Sequence, residues 1–524
     1  MSHPGAKEYH DEFAIRETDT RIDESIAEIA INETGFGKFN IKVAIICYLI
    51  YFNISLGVVS IGFVLPAAAC DLKMNIIDKA LITTAFFVGA CFSAVISGFL
   101  ANLKGRKWTL LLALFLQGNS DFLQSIFSNY WIIVGLKFFS GAGSAGQNIV
   151  FTYLGECLPL KNRNFLLSNM EYFWIFGHAF AAAVGWGIIP QQFGIEKSYF
   201  TFHSWNLYIL ICSLPSFILG FCLIFMPETP KFLAERGSRE KLLQVLIYMY
   251  EQNVGKSGKE YIEKLLSSGN AVLIELVHKN KNEVKNSNTI IQRIFNELKR
   301  LGCIFKPPLL TNTILVCFTA FTVTSSYYAF YLWLPEIFQR FANFQAGHKE
   351  KGSNFCTISR DLPSSTQDTL VCDTPIDKKV FLNNLILCAS CIPTTIIITL
   401  LVKRCGLKIL LAASCILCTA VIIGIYFSNS FLQNLILLCI YSSLASTSMT
   451  IQFAYFVTIF PTNFRSSGIV VSSLLVRLGA MFGNFTFSFL KDECIYFILL
   501  TSILLIVAAV STILIRERKD KLNN

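Results

Sequence analysis

Apolar residues along this chain form runs of about 20 or more, and short polar turns separate the runs. About 20 apolar residues are enough to cross a bilayer as one helix. Two sets of six runs lie on either side of a polar stretch at 227–308. The runs are 41–68, 80–101, 108–127, 131–155, 166–189, 206–226, 309–334, 380–402, 407–427, 432–460, 467–490 and 494–515. The pattern predicts an all-α membrane protein with twelve transmembrane helices.

The two sets of six look like copies of one unit. Each carries a turn glycine, a proline at the end of a run and a following arginine: Gly105, Pro159 and Arg163, then Gly406, Pro461 and Arg465. The spacings are 54 and 4 residues in the first set and 55 and 4 in the second. We therefore predict two pseudo-symmetric six-helix bundles. Many secondary transporters are built from such repeats, with the binding site between them.

Basic residues set the expected orientation. The turn after the second run holds Lys104, Arg106 and Lys107, and short basic loops stay on the cytosolic side. We expect both termini in the cytosol, and the plasma membrane or an intracellular vesicle membrane as the location. The expected domains are a cytosolic tail (1–40), a first bundle (41–226), a cytosolic linker (227–308), a second bundle (309–516) with an outer loop (335–379), and a cytosolic tail (517–524).

Composition agrees with a membrane protein. With 53% hydrophobic and 15% charged residues, a soluble fold would expose large apolar patches. The net charge of +10 comes from turns and the linker, so we predict no nucleic-acid partner. We also expect a lipid environment and a monomer. Most of the 17 cysteines lie inside runs, where they act as small apolar residues. Cys356 and Cys372 share the outer loop and could form a disulfide, provided that they approach closely enough.

Ionisable side chains inside membrane spans are costly and are therefore candidates for function. We identify Lys137, Glu171, His178 and Arg477. Glu171, Trp174 and His178 fall on one face of a helix. Either this face lines a central cavity, where Glu171 and His178 couple solute movement to protons, or Glu171 pairs with loop cations and His178 packs inside the bundle.

Arg477 and three further residues are candidates for the cavity. Arg477 favours anionic solutes if it faces the cavity, and it forms a structural pair if it faces another helix. Tyr327 and Tyr328 lie inside the seventh run. Asn53 lies in the first run and needs a partner, which is either a solute or a neighbouring helix.

We find no pattern that is typical of an enzyme. The segment Gly141-Ala-Gly-Ser-Ala-Gly146 follows no strand and lacks the Gly-Lys-Ser/Thr ending of a phosphate loop, so we predict that it packs helices together. Neither a zinc-protease motif nor a nucleophile elbow occurs. We therefore expect no catalytic residue, no metal and no cofactor.

Three motifs resemble those of the major facilitator superfamily: Gly98-x-Leu-Ala-x-x-x-Gly105-Arg106-Lys107, Glu156-x-x-Pro-x-x-x-Arg163 and Pro-Glu228-Thr-Pro. The third is similar to its sugar-porter and organic-ion branches. The resemblance implies a twelve-helix rocker-switch fold with a cytosolic gate at Gly98, Asn102, Gly105, Arg106, Lys107, Glu156, Arg163, Glu228 and Arg465. Asn102 stands where the family motif has Asp, and Thr458 where many relatives have Glu. The latch between the bundles should be correspondingly weaker.

Within this superfamily the chain resembles the synaptic vesicle glycoprotein 2 family, at 173–177, 181–190, 202–205 and 327–336. The resemblance covers nearly all of the chain from about Gly35 onward. It implies that Trp186, Tyr327, Tyr328 and Trp333 lie near the central site. Trp333 also suits an interfacial anchor.

The predicted function is secondary active transport of a small organic solute by alternating access, with an organic ion as one class of solute and with or without a coupling ion. The alternative is a non-transporting scaffold or receptor of vesicle membranes. The first predicted helix lacks the acidic residue of many relatives, and the loop 335–379 is far shorter than the luminal domain of the vesicle proteins. Substrate and proton coupling are therefore not carried over from the resemblance.

Overall fold

The computed structural model describes residues 27–191, 193–197, 200–267, 274, 302, 304–307, 309–347, 355–356, 376–460, 465–490 and 493–516. Expectations for 1–26, for most of 268–308 and for most of the loop 335–379, including Cys372, lie outside the described residues.

The described part of the chain is almost entirely helical. The first half contains α1 (Lys38–Ala67), α2 (Ile76–Lys104), α3 (Arg106–Gln124), α4 (Tyr130–Gly146), α5 (Val150–Cys157), α6 (Leu160–Ser168), α7 (Met170–Ile188) and α8 (Ser204–Ile224). A 3-10 turn (Gln147–Ile149) joins α4 directly to α5, and a two-stranded hairpin of β1 (Gly194–Lys197) and β2 (Phe200–His203) precedes α8.

Three short helices lie between the two halves: α9 (Pro230–Glu235), α10 (Arg239–Val254) and α11 (Gly258–Ser267). The second half contains α12 (Leu310–Tyr331), α13 (Leu334–Gly347), α14 (Lys378–Cys405), α15 (Leu407–Phe427), α16 (Phe431–Ile459), α17 (Arg465–Leu490) and α18 (Cys494–Leu514). We call the face that carries the α2–α3 turn the basic-turn face, and the opposite one the far face.

Two glycines make equivalent sharp turns in the two halves. Gly105 ends α2 and begins α3 with φ 109°, and Gly406 ends α14 and begins α15 with φ 78°. Residues with a Cβ rarely adopt positive φ, so glycine allows one helix to follow another without a loop. The matching positions support the internal repeat predicted from their spacing.

Helix packing repeats between the halves as well. In the first half α1 packs on α7 and α8, α2 on α4, and α3 on α4 and α8. In the second half α12 packs on α17 and α18, α14 on α16, and α15 on α16 and α18. These five pairs correspond one to one in chain order. The halves meet mainly where α2 packs on α17 and α7 packs on α14.

The outer surfaces of the helices are apolar. Large exposed side chains include Phe92, Leu112, Ile409 and Phe489, which a lipid environment accommodates and water does not. Ten helices in the described ranges are long and apolar enough to cross a membrane. The ten do not include helix α3, which covers the predicted run 108–127. Nor do they include the continuous segment of α4, the 3-10 turn and α5, here called the α4–α5 rod, which covers the run 131–155. Helix α3 carries Arg106, Lys107 and Asp121, and the rod is interrupted by the 3-10 turn.

The disulfide considered for Cys356 and Cys372 is wrong. Cys356 is bonded to Cys494 at the start of α18, with 5.3 Å between the two Cα atoms. Because a sulfur forms one disulfide, Cys356 has no bond left for Cys372. The two bonded residues are 138 positions apart in sequence, so the fold, rather than a shared loop, brings them together.

The glycine-rich segment of α4 packs helices together, as predicted. A Cβ on Gly141 would collide with the backbone carbonyl oxygen of Phe86 on α2. The missing side chain therefore lets α2 and α4 approach closely.

Candidate functional site

A cluster of buried polar and aromatic side chains lies between the two halves. His178 on α7 and Tyr331 on α12 are joined by a 3.1 Å hydrogen bond between Nδ1 and the hydroxyl oxygen. Tyr327 stacks on Tyr331 with 4.5 Å between ring centroids, and Tyr328 lies edge-on to Tyr327 at 5.0 Å. The Oδ1 atom of Asn384, on the neighbouring helix α14, is buried and has no hydrogen bond partner within the described part of the chain. The cluster offers aromatic faces and hydrogen-bonding groups to a small molecule.

Arg477 on α17 points toward the same cluster. Its Nη1 donates to the carbonyl oxygen (2.9 Å) and the hydroxyl (2.7 Å) of Ser473. Tyr328 and Cys91 lie close enough to interact electrostatically with the guanidinium. Among the residues that the structure describes, no carboxylate forms an ion pair with it. Arg477 is therefore a buried cation that faces the seam between the halves.

Glu171 makes a second polar contact between the halves, closer to the basic-turn face. It is the second residue of α7, and its carboxylate lies beside the hydroxyls of Ser446 and Thr450 on α16. Glu171 therefore contacts the opposite half rather than the loop cations considered from the sequence.

Trp174 and Asn53 lie within the first half. The Trp174 ring packs on Tyr51 of α1 at 5.5 Å, and its carbonyl oxygen accepts from Ser55. The fully buried Asn53 donates to Gln147 at 3.0 Å and accepts from Ser216 at 3.0 Å. Its partners are thus neighbouring helices, which was one of the two alternatives.

The other two tryptophans that were predicted near the site occupy different environments. Trp333 is 1% exposed, donates from Nε1 to the carbonyl oxygen of Asn484, and stacks on Phe487. It is a core residue, so the interfacial-anchor interpretation is wrong. Trp186, by contrast, is exposed near the far-face end of α7.

The far face is closed by a cluster that we call the far-face closure: Lys79, Glu336, Arg340 and Asn484. Lys79 on α2 and Glu336 on α13 form a 2.9 Å ion pair with side chains only 9% and 13% exposed. Arg340 approaches the same carboxylate at 3.5 Å. Asn484 on α17 donates to the carbonyl oxygen of Ala80 at 3.0 Å and to the Thr84 hydroxyl at 3.2 Å. The contacts of Lys79 and Asn484 join the two halves on the far face.

Arg106 is the centre of a buried network on the basic-turn face. Its guanidinium pairs with Glu156 at 3.0 Å and with Glu235 at 3.2 Å. The Phe232 ring lies 5.0 Å from its Cζ atom, a cation–π distance. Glu156 also accepts a 2.6 Å hydrogen bond from the Thr229 hydroxyl. The network therefore holds α3, α5 and α9 together.

Other predicted gate residues have distinct roles. Glu228 accepts from the backbone N–H groups of Arg106 and Lys107, at 3.1 and 3.0 Å, so it binds the start of α3. Lys107 donates from Nζ to the carbonyl oxygen of Ile224 at 2.7 Å. Asn102 is exposed and Gly98 half-buried. The side chain of Arg465 lies outside the described residues.

Arg163 belongs to a separate assembly that we name the N-terminal clasp: the helical segment 27–33, Arg163, and helices α10 and α11. Glu28 pairs with Arg163 at 2.9 Å and with Lys231 at 3.6 Å. The Tyr261 hydroxyl donates to the carbonyl oxygen of Ala30 at 2.8 Å. Burial raises the pKa of Glu28, but the hydrogen bond from Arg163 and the charge of Lys231 outweigh it, and the net pKa is lowered.

The lowered pKa of Glu28 predicts that acid weakens the clasp. A carboxyl whose pKa is lowered by folding stabilises the protein above its ordinary pKa, here 4.5, and this stability is lost as the pH falls through the folded-state value. We expect Glu28→Gln to lower the melting temperature at pH 7, and the difference from wild type to shrink below pH 4.5. Glu260→Gln is the control, because its pair with Lys256 is exposed and should contribute little at either pH. A difference that grows in acid would contradict this account of Glu28.

Sequence reasoning missed three partners of the buried charges. Lys137 forms an ion pair with Asp121 at 3.0 Å inside the first half. Asp121 lies within the predicted run 108–127, so it carried the same signal as Lys137 and could have been found. Lys79 and Glu235 gave no such signal, because they lie at the edge of a run and in the linker. No group of three or more His, Cys, Asp or Glu in the described ranges could hold a metal ion.

Comparison with protein families gives a match to the Major Facilitator Superfamily over residues 47–358, more than half of the chain. Synaptic vesicle glycoprotein 2C of Mus musculus is 26% identical over 377 residues, which are 68% of this chain and 51% of that protein. Synaptic vesicle glycoprotein 2B of Rattus norvegicus is 28% identical over 337 residues, 62% and 49% of the two chains. The chain spans about half the length of these curated relatives.

Solved structures share the fold. The xylose transporter XylE from E. coli, in a partially occluded inward open conformation, matches with a TM-score of 0.61 and 13% identity, over 90% of this chain and 98% of that one. The proton:xylose symporter XylE bound to 6-bromo-6-deoxy-D-glucose matches with a TM-score of 0.62 and 13% identity, over 91% and 96%. At this identity the likeness shows the fold alone, that of a helical multi-pass membrane protein.

Proposed function

The chain belongs to the major facilitator superfamily, and from this premise we propose that it is a secondary active transporter that moves a small organic solute by alternating access. The observation that carries the proposal is a buried aromatic and cationic cluster at the seam between two similarly packed halves, closed above by an ion pair between them. Binding sites between repeated halves are a general feature of secondary transporters.

We propose the same architecture and orientation that the sequence predicts. Twelve membrane-crossing helices, counting α3 and the α4–α5 rod, would form bundles at 41–226 and 309–516. The basic turn would place the basic-turn face in the cytosol. Epitope tags in the α2–α3 turn and between α15 and α16 test this arrangement, since they should be reached from opposite sides of the membrane.

The two sides of the seam are closed in chemically different ways. The far-face closure uses a buried ion pair between Lys79 and Glu336. Toward the basic-turn face, the halves meet where the Glu171 carboxylate lies beside two hydroxyls of α16. A contact between a carboxylate and hydroxyls is weaker than a contact between two ions of opposite charge. The described conformation therefore suits a state that is closed on the far side and releases or receives solute on the basic-turn side.

Arg477 indicates the class of solute. Among the described residues it lacks a carboxylate partner, and a buried cation at membrane depth is costly unless an anion or a dipole compensates it. A carboxylate on the solute would supply that partner, while Tyr327, Tyr328 and Tyr331 would pack on an apolar or aromatic body. We propose an organic anion or zwitterion as the solute.

Ligand-induced thermal stabilisation tests the solute class. We expect a panel of aromatic and aliphatic carboxylates, each compared with its neutral amide, to stabilise the purified protein only as the carboxylate. Arg477→Gln should weaken that binding about 10- to 150-fold, because a hydrogen bond to a charged group contributes about 1.5–3 kcal/mol. Arg477→Lys keeps the charge and should lose less. Equal stabilisation by the amides would show that Arg477 does not bind the carboxylate of the solute.

A non-transporting scaffold is the competing function, and the similarity to synaptic vesicle glycoproteins 2B and 2C keeps it open. Uptake of the stabilising solute into liposomes that contain only the purified protein separates the two. A solute that binds but never crosses the bilayer would favour a receptor over a transporter.

A further inference from the structure

We propose that Asp121 and Lys137, buried inside the first half, form a proton-binding site whose protonation is linked to opening of the far face. This inference rests on the proposed transport function and gives it a coupling ion. The pair lies outside the aromatic cluster and joins α3 to α4 within one half, so solute binding does not use it.

The pair is deeply buried. The Lys137 Nζ and Asp121 Oδ1 atoms are 3.0 Å apart, with side chains 2% and 8% exposed. Placing two charges at such a site is costly, and apolar residues of similar size often stabilise a protein equally well. Ionisable groups within membrane spans commonly mark ion and proton pathways.

A second acceptor for Lys137 lies beside the pair. Gln124, one turn from Asp121 on α3, has a buried Oε1 atom with no hydrogen bond partner among the described residues. Gln124 and Lys137 line the same cavity, about 10 Å³ in volume, which is roughly the size needed for one water. The Lys137 ammonium can therefore leave Asp121 and be held by Gln124, directly or through a water.

Protonation of Asp121 releases the Lys137 ammonium from the ion pair. A proton from the far-side solution binds one carboxylate oxygen of Asp121 and forms an O–H bond, so the pair changes from neutral to a net charge of +1. Lys137 keeps its proton and moves its ammonium to Oε1 of Gln124. Release of the proton toward the basic-turn side restores the ion pair.

Few other charges face the pair. Lys137 is the one charged residue among the described residues that line the cavity. From α8, Cys212 lies near both charges, and Trp205 lines the cavity while donating from Nε1 to Asp71 at 2.6 Å. Asp71 in turn pairs with His203 at 2.7 Å. Helices α1 and α2 present apolar side chains, namely Ile61, Val64 and Ile82.

Those two helices connect the cavity to the far-face closure. Ile61 on α1 lines the cavity, and the next residue, Gly62, packs so closely on the carbonyl oxygen of Leu332 that an added Cβ would lie 2.9 Å from it. On α2, Ile82 lines the cavity, while Lys79, one turn earlier, holds Glu336. Separation of the halves on the far side would move both walls of the cavity and change its access to water.

An infrared pH titration of the full-length protein in lipid tests the site without any solute. We expect acid to produce the carbonyl stretch of a protonated carboxyl group in the wild type, and Asp121→Asn to abolish that band. Lys137→Gln should shift the midpoint upward by at least about one pH unit, because loss of a nearby opposite charge favours the neutral acid. Gln124→Leu should shift it downward, since Lys137 then has no second acceptor.

Spin labels introduced through noncanonical amino acids at Trp131 and Leu432 report the link to the far face. These positions are 73% and 63% exposed and lie in opposite halves at the far-face ends of α4 and α16. We expect their separation to increase over the pH range of the infrared band, and not to change with pH in Asp121→Asn.

Three results would overturn the proposal. The first is the absence of an Asp121 band between pH 4 and 8 in both the wild type and Lys137→Gln. The second is a midpoint that does not shift in Lys137→Gln. The third is a band that appears while the label distance stays unchanged. Because neither measurement needs a transported solute, a protein that titrates but does not transport would refute the proposed function and leave the proton site standing.

Discussion

Arg106→Ala should destabilise the protein more than loss of any other charge on the basic-turn face. The substitution leaves Glu156 buried without its guanidinium partner, and breaking a buried ion pair costs about 3–5 kcal/mol. It also removes the pair with Glu235 and the contact with Phe232. We expect a large drop in melting temperature and, in liposomes, loss of uptake. Thermal unfolding in detergent, followed by an uptake assay, measures both.

Lys107→Ala is the matched control. Lys107 is the next residue in the same basic turn, but within the described ranges its ammonium donates to one carbonyl oxygen, that of Ile224. We expect a stability change within about 1 kcal/mol, as is usual for substitutions that break no buried network. Equal destabilisation by the two variants would mean that charge in the turn, rather than the buried network, stabilises this face.

Glu336→Gln should shift the conformational equilibrium toward a protein that is open on the far side. The Lys79–Glu336 pair exists only while the halves are together, and its loss leaves Lys79 buried without its carboxylate. An energetic cost of about 3–5 kcal/mol to the closed state corresponds to at least about a 100-fold change in the equilibrium between the states. The spin-label distance between Trp131 and Leu432 should increase accordingly.

Arg340→Gln separates this effect from a general loss of charge. Arg340 contacts Glu336 from one turn away on the same helix, so that contact is present in both conformations and should not favour either. We expect an unchanged label distance in this variant. An unchanged distance in Glu336→Gln as well would show that the far face is held by Asn484 and apolar packing instead.

Local spacing predicted part of the candidate site. At 3.6 residues per turn, His178 lies about 20° and Trp174 about 60° around the helix from Glu171. Glu171 and His178 accordingly both contact the second half, whereas Trp174 turns toward α1. Spacing along one helix identifies which residues share a face, but the neighbouring helices decide how wide that face is.

Contacts between distant segments could not be predicted in the same way. Lys79 and Glu336 are 257 positions apart, and nothing local marks them as partners. The Cys356–Cys494 bond has the same character, because disulfide connectivity cannot be deduced from sequence alone. The internal repeat was more informative, since equivalent glycines at 105 and 406 predicted two similar halves, and the packing of helices repeats between the halves.

The N-terminal clasp has a consequence for biogenesis. The bond between Tyr261 and Ala30 spans 231 positions, and that between Asn253 and Gly35 spans 218, so a ribosome must finish the whole first half before either can form. Until then the segment 27–33, whose Ile31 is completely covered in the finished protein, lacks its contact with α11 and is more accessible to chaperones and proteases. A nascent chain that stalls before α11 is thereby left recognisable as incomplete.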